Sequence, residues 1–316
     1  MSIRILVTGG AGFLGSHLVD ALLQAGHDVI CLDNFSTGAK SNLQQALDFD
    51  GFKLIEQDVG DPVTLDVERI YNLASPASPI QYQSDPVKTT MTNVLGMKNV
   101  LDLARRTGAR VLQASTSEVY GDPEVRPQSE GYVGHVNICG PRACYDEGKR
   151  CAESLCYDYE RQHNQSVRVA RIFNTYGPRM RFDDGRVVSN FSVQAIQNQP
   201  ITLYGDGQQT RSFCFVSDMV RGLMSLMDHD VDGIGPVNLG NPNEISIETL
   251  ARRIITRTGS TSEIVFRDLP KDDPRYRCPD IAKAKRVLNW TPQVDLDQGL
   301  EETLAFFLAQ SEIAAQ

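Results

Sequence analysis

Tyr145 and Lys149 stand four residues apart in the stretch Ala143-Cys144-Tyr145-Asp146-Glu147-Gly148-Lys149-Arg150. On a helix that spacing puts both side chains on one face, one turn apart. A phenol with a pKa near ~10 is a poor base at neutral pH, but a neighbouring ammonium favours the phenolate. Such a pair can take the proton of a substrate hydroxyl as hydride leaves the carbinol carbon. The same spacing also suits a solvated helix face. The chemistry therefore needs a hydride acceptor elsewhere in the chain.

The amino terminus offers a place for one. Residues 3–7 form a β-rich run, followed by Thr8-Gly9-Gly10-Ala11-Gly12-Phe13-Leu14-Gly15 and an amphipathic stretch over 16–25. Strand, glycine turn and helix are the order a pyrophosphate cradle requires. Gly9 makes the tight turn, Gly12 lets the phosphates approach, and Gly15 lets the helix pack on the sheet. The helix start presents free N–H groups to the anion. A second strand over 28–32 ends at Asp33. That acid can accept from both ribose hydroxyls and repels a 2′-phosphate, which points to NAD and not NADP. His17, inside the first helix, is expected to pack and not to ligate.

Around these groups the chain reads as alternating strands and helices. Strands are expected near 53–57, 69–74, 110–114 and 167–173, with a long helix through 93–104 and another carrying Tyr145 to Tyr159. The second and third of these strands run into Ser75-Pro76-Ala77-Ser78-Pro79, expected as a non-helical loop, and Ser115-Thr116-Ser117-Glu118. In an open parallel sheet such strand exits line the binding crevice. The fold class is α/β, a Rossmann-like doubly wound parallel sheet with a smaller carboxy-terminal α/β domain that binds substrate. The expected division is 1–177 for NAD and mainly 178–316 for substrate, with 211–227 crossing back.

The 316 residues carry a formal net charge of −9, which argues against nonspecific nucleic-acid binding. No run approaches the ~20 apolar residues a membrane-spanning helix needs. The seven cysteines include no Cys-x-x-Cys pair, and Cys139, Cys144, Cys151 and Cys156 have no histidines at zinc-finger spacing. A reduced, cytoplasmic protein without a structural metal is expected.

At this point several blocks resemble one family. The glycine turn, Tyr145-xxx-Lys149 and Arg171-Ile172-Phe173-Asn174-Thr175-Tyr176-Gly177-Pro178 resemble the extended short-chain dehydrogenases that act on nucleotide sugars. Ser115-Thr116-Ser117-Glu118-Val119-Tyr120-Gly121-Asp122-Pro123, residues 144–150, residues 184–191, residues 204–213 and Asp272-Asp273-Pro274-Arg275-Tyr276-Arg277 look like the UDP-glucuronic acid decarboxylases. The likeness spans nearly the whole chain.

The resemblance implies conversion of UDP-glucuronate to UDP-xylose and carbon dioxide, with NAD tightly held and regenerated. Oxidising the C4 hydroxyl makes a ketone β to the C6 carboxylate, so decarboxylation can leave charge in an enolate. C5 is then reprotonated and C4 reduced. Tyr145 is implied as the base, with Lys149 lowering its pKa and holding the nicotinamide ribose. Thr116 would bond O4, while Glu118 assists proton transfer or positions the sugar. Ser117 would orient the intermediate, and Arg275 would hold the diphosphate or adjacent sugar. Asn174, Arg186, Val188, Tyr204 and Arg211 would shape the UDP pocket. At the cofactor, Phe13 and Leu14 present backbone, Asn34, Phe35, Thr37 and Gly38 surround the adenosine side, Asp58 and Val59 flank adenine, and Thr175 completes the set. A homodimer through a four-helix interface is implied too.

The chain departs from the family's pattern at Val133, His135, Ile138 and Cys139, in a loop expected to close over the sugar. It also departs at Met91, where a lysine is expected. Competing readings are a UDP-sugar 4-epimerase, which keeps C6, and a noncatalytic NAD or nucleotide-sugar binder. A nucleotide-sugar 4,6-dehydratase is disfavoured because Ser117-Glu118 supplies one carboxylate where an Asp-Glu pair is normal.

Overall fold

Ile5, Leu6 and Val7 are wholly buried in the first strand. Ile5 and Val7 face one side of the sheet and Leu6 the other, joining two separate apolar cores. A strand covered on both faces reads as a continuous apolar run, which is the mark of a parallel sheet.

The computed structural model describes residues 2–230, 232–268 and 276–314. The first half runs β1 (Arg4–Thr8), α1 (Phe13–Gln24), β2 (Asp28–Asp33), β3 (Phe52–Glu56), β4 (Arg69–Asn72), α2 (Pro79–Ser84), α3 (Pro86–Thr107), β5 (Arg110–Thr116), α4 (Ala143–His163) and β6 (Val167–Ile172). There follow β7 (Thr175–Tyr176), α5 (Val187–Ile196), β8 (Ile201–Tyr204), β9 (Thr210–Ser212), β10 (Cys214–Phe215), α6 (Val216–Asp228) and β11 (Pro236–Leu239). The chain continues through β12 (Glu244–Ser246), α7 (Ile247–Thr258), β13 (Ile264–Arg267), β14 (Tyr276–Arg277), α8 (Ala282–Leu288) and α9 (Leu296–Ala314).

Seven parallel strands form the main sheet in the order β11-β6-β5-β4-β1-β2-β3. The winding reverses between β1 and β4, so a crevice opens there at the strands' carboxyl ends. Buried side chains tie those ends together. Thr8 donates to Asn72 at 2.6 Å, and Asn72 donates to Gln113 at 2.7 Å, linking β1, β4 and β5. Helices α3 and α4 cover one face, where Met97, Val100 and Cys156 meet Leu6 and Val111. Helices α1 and α6 cover the other.

The carboxy-terminal region builds smaller sheets, β12-β9-β14 and β13-β8, packed with α5, α7 and α9. Two elements from beyond residue 211 nevertheless belong with the large sheet. Helix α6 packs on β5 and β6, and β11 pairs with β6 in register Val237↔Ala170. Trp290, 1 % exposed, donates its indole N–H to the Asp218 carbonyl of α6 at 3.0 Å, which secures the chain end to that helix.

One local expectation is corrected. Residues 75–78 form a loop, but Pro79 opens helix α2 instead of preventing one. Proline suits the first helical position because its missing N–H has no partner there in any case.

Candidate active site

A cavity of about 420 Å³ runs along the carboxyl ends of β1, β2, β4, β5 and β6. Its floor at one end is the glycine turn. Gly9 has φ +68°, and a Cβ at Gly15 would lie 2.1 Å from the Gly9 carbonyl oxygen, so neither position has room for a side chain. Gly12 caps α1 without a side chain, and no acid lies in the first turn. The first N–H groups of α1, at Phe13 and Leu14, are thus open to an anion in the cavity.

Asp33 closes the next part of the wall. Its Oδ2 accepts from the Ala11 N–H at 2.9 Å and its Oδ1 from the Phe35 N–H at 2.8 Å. Burial raises its pKa, opposed by those N–H bonds. Asn34 and Thr37 line the cavity beside it. Phe35 and Gly38 support the turn from behind. Phe35 takes a left-handed φ of +55°, while Gly38 packs on Ala11 and Asp33. Val59 is on the wall. Asp58 stands behind it, accepting from Asn34 at 2.8 Å and pairing with the Lys88 ammonium at 2.7 Å. A glycine cradle, open helix-start N–H groups and a buried acid at the end of β2 fit a dinucleotide.

The other end holds the chemistry. Tyr145, on α4, is 6 % exposed and lies flat on Tyr82 of α2, with ring centres 4.9 Å apart and planes 3° from parallel. Its hydroxyl is bonded to the Thr116 side chain. The Lys149 ammonium lies 5.7 Å from the Tyr145 ring centre and donates to the Ala114 carbonyl at 2.9 Å. Burial lowers the Lys149 pKa to about 8, although the Glu153 carboxylate opposes that shift. Burial raises the Tyr145 pKa, and the Glu118 charge adds to the rise. The expectation that the phenol's pKa comes down is therefore not met, because desolvation and the nearby Glu118 carboxylate outweigh the Thr116 hydrogen bond.

Glu118 follows Thr116 in a 3-10 turn over Ser117–Tyr120. Arg142 Nη2 donates to its Oε2 at 2.6 Å. Burial alone would raise the Glu118 pKa, but Arg142, Arg277 and hydrogen bonds outweigh it and hold the group near 2. Asp146 stands one residue beyond Tyr145, 5 % exposed, and its side chain is hydrogen-bonded to that of Glu118. Burial and then the Glu118 charge push Asp146 up to about 8. The site thus contains two adjoining carboxyl groups, although Ser117-Glu118 contains only one. The second comes from another element.

The remaining expected residues divide between wall and surroundings. Ser117, Asn174, Thr175 and Arg186 line the cavity. Arg186 is held by both oxygens of Asp184 and lies over the Phe13 ring at 5.7 Å. Val188 is 2 % exposed within the apolar core, as its place on an amphipathic helix allows. Tyr204 is 45 % exposed at the end of β8. Arg211 is buried on β9, opposite Arg277 on β14. Arg275 lies outside the described residues. Arg277 is 4 % exposed and donates to Ser117 at 3.1 Å. Nothing local in the sequence singles out Arg277, which meets Ser117 only once β14 has paired with β9. Arg142, Tyr82 and Asp146 were also missed. Their only sequence signal was proximity to a proline loop or to Tyr145.

The departures fall outside the cavity wall. Met91 is exposed on α3, which turns Lys88, Thr89 and Thr92 to the cavity. Val133 and Ile138 are exposed at 81 % and 72 % in the loop before α4. His135 lies at the surface, 3.6 Å from Glu124. His17, at the other end of the site, bonds the Pro178 carbonyl at 3.0 Å. Among the described residues no cluster of His, Cys, Asp and Glu could hold a metal ion, and no helix is long and apolar enough to cross a membrane.

Residues 5–240 match the NAD dependent epimerase/dehydratase family. UDP-glucuronic acid decarboxylase 1 of Xenopus tropicalis is 56% identical over 309 residues, covering 98% of this chain and 73% of that protein. UDP-glucuronic acid decarboxylase 6 of Arabidopsis thaliana is 56% identical over 95% of this chain and 87% of its own. Among solved structures, UDP-glucose 4-epimerase from Thermotoga maritima, with UDP-glucose, superposes with a TM-score of 0.90 at 29% identity, covering 98% of this chain and 100% of that one. UDP-glucuronic acid 4-epimerase from Bacillus cereus, in complex with UDP-glucuronic acid and NAD, gives 0.89 at 28% identity over the same shares. Sequence and architecture together assign the chain to the NAD-dependent epimerase/dehydratase family, and within it to the UDP-glucuronic acid decarboxylases.

Proposed function

We propose that this protein converts UDP-glucuronate to UDP-xylose and carbon dioxide. The observation that carries the reading is one continuous cavity joining the glycine cradle to Thr116, Glu118 and Tyr145. When bound, NAD supplies a positively charged ring that accepts hydride from C4 and later returns it. The cradle at Gly9, Gly12, Phe13, Leu14 and Gly15 would hold its pyrophosphate, and Asp33 its ribose. Thr116 orients O4 against Tyr145, which in its phenolate form takes the O4 proton and later gives it back. Lys149 would steady the nicotinamide ribose. The resulting 4-ketone lies β to the C6 carboxylate, so carbon dioxide departs while the electron pair enters an enolate. Ser117 and Glu118 face that part of the sugar, while Asn174 and Arg186 contact the nucleotide side. Arg275 keeps its expected part at the diphosphate or adjacent sugar, and Arg277 adds a second guanidinium beside Ser117.

Family membership favours decarboxylation, since the curated relatives at 54–56% identity are decarboxylases. The second reading is 4-epimerisation, favoured by the architecture shared with the two epimerases. NMR of protein mixed with UDP-glucuronate and NAD, with evolved carbon dioxide captured, separates the two. UDP-xylose with equimolar carbon dioxide supports the proposal. A C4 isomer with all its carbons overturns it.

We further propose a cytoplasmic homodimer, with residues 1–177 holding NAD and 178–316 mainly the UDP-sugar. Support for the dimer is an apolar stripe at Val87, Met91 and Leu95, exposed at 72 %, 41 % and 40 % and spaced one turn apart along α3.

A further inference from the structure

Decarboxylation has a proton deficit that Tyr145 does not cover. The tyrosine takes its proton from O4 and returns it to O4. When the C5–C6 bond breaks, its electron pair stays on the sugar as an enolate and carbon dioxide leaves. A new C5–H bond then needs a proton from a different group, and one proton is consumed per turnover.

The cavity has a second proton store beside it. Glu118 lines the wall, while Asp146 stands behind it on α4, 5 % exposed. Their side chains share a hydrogen bond. Two carboxyl groups can do so only if one of them carries the proton. The geometry says which. Glu118 takes the Arg142 guanidinium at 2.6 Å, so it is the anion. Asp146 Oδ1 is buried with no hydrogen-bond partner, as suits the carbonyl oxygen of a neutral acid.

The charged and titratable groups facing the pair are Arg142, Cys144 and Tyr145 on α4, Tyr82 on α2, Arg277 on β14 and Arg186 at the start of α5. The three guanidiniums can carry the pair through a moment when both members are ionised.

We propose that Asp146 is a positioning residue for C5 reprotonation, holding a proton that it passes through Glu118 to the enolate. The Asp146 proton moves along the shared hydrogen bond to Glu118, and Glu118 gives that proton to C5. Both carboxyls are then anionic, and water restores the proton to Asp146 after product leaves. No oxidant or reductant enters this step. The inference rests on the decarboxylase reading.

Asp146→Asn tests it, because the amide still donates to Glu118 but has no proton to give. UDP-xylose formation should fall about 100-fold, within the range for a lost general acid. KM for UDP-glucuronate should stay within twofold, and carbon dioxide should outrun UDP-xylose as a 4-keto pentose is released. In D2O the wild type should label one face of C5, and the variant both. Asp146→Glu should recover part of the rate. Wild-type rate and single-face labelling in Asp146→Asn overturn the inference.

A second measurement does not depend on the variants folding. Infrared spectra of the wild type should show a neutral carboxyl band at pH 7 that fades as pH rises through about 8. Absence of that band at pH 7 also overturns the proposal. If the wild type releases no carbon dioxide, the decarboxylase reading fails instead, and the band still reports whether the pair holds a proton.

Discussion

Tyr145 is fixed from two sides, by the Tyr82 ring beneath it and the Thr116 hydroxyl beside its own. Removing its oxygen should leave the slot for the sugar intact. Tyr145→Phe is expected to bind UDP-glucuronate within about threefold of wild type and to lose about 1,000-fold in turnover, within the span for a lost acid–base group. Isothermal titration and product NMR check the two halves, and near-normal turnover would remove Tyr145 from the base role. Lys149 makes a separate prediction about stability. Its pKa is lowered from 10.5 to about 8 in the fold, so the unfolded chain binds more protons between those values. Its stabilising contribution is present above pH 10.5 and lost as pH falls through about 8. The gain in Tm of ligand-free Lys149→Met over wild type should therefore be largest at and below pH 8 and shrink toward pH 10.5. A gain that does not change with pH would contradict the buried, depressed ammonium.

At the scale of elements, the site depends on where helices begin. Helix α1 starts on glycine, leaving its N–H groups for a phosphate. Helix α3 starts on Asp85, whose Oδ1 accepts from the Lys88 N–H at 3.0 Å, followed by Pro86 at the first helical position. That cap sets the first turn of the helix that brings Lys88, Thr89 and Thr92 to the cavity. Asp85→Ala should cost about 1 kcal/mol, the usual value of an N-cap side chain. Urea denaturation of the ligand-free protein would measure it, and a change below about 0.3 kcal/mol would mean that the cap is replaceable by water. The strand exits act in the same way. The Thr8–Asn72–Gln113 chain holds three strand ends in register beneath the cavity, so Thr116 and the glycine turn meet the ligand from a rigid base.

On the scale of the whole molecule, the stripe on α3 is a row of apolar side chains that a monomer leaves exposed on one helix face. A double substitution, Met91→Glu with Leu95→Glu, places like charges on both copies of a symmetric interface. Light scattering coupled to size exclusion should give a dimer for the wild type and a monomer for the variant. A wild-type monomer, or an undisturbed dimer in the variant, would rule out this face. Since Met91 is outside the cavity wall, any loss of turnover in the monomer would reflect assembly and not direct contact with the sugar.

Much of this protein could be read from local sequence. Periodic apolar runs marked the parallel strands, because burial on both faces leaves no polar alternation. The glycines and Asp33 marked the cradle, because a tight turn, close phosphate approach and a ribose acceptor each demand a residue type at a fixed spacing. Tyr145 and Lys149 were visible for the same reason, being one helical turn apart. Other features depended on positions distant in the chain. Whether Val188 packs in the core or faces a ligand is decided by how α5 lies on its neighbours. Arg277 reaches Ser117 from 160 residues away along β14. Tyr82 lies under Tyr145 because a proline-started helix turns it inward. The pairing of Asp146 with Glu118, and the reversal of the expected shift at Tyr145, come from desolvation and charges delivered by separate elements. Spacing along a chain carries the geometry within one element, whereas solvent exclusion and long-range electrostatics exist only after the elements have packed.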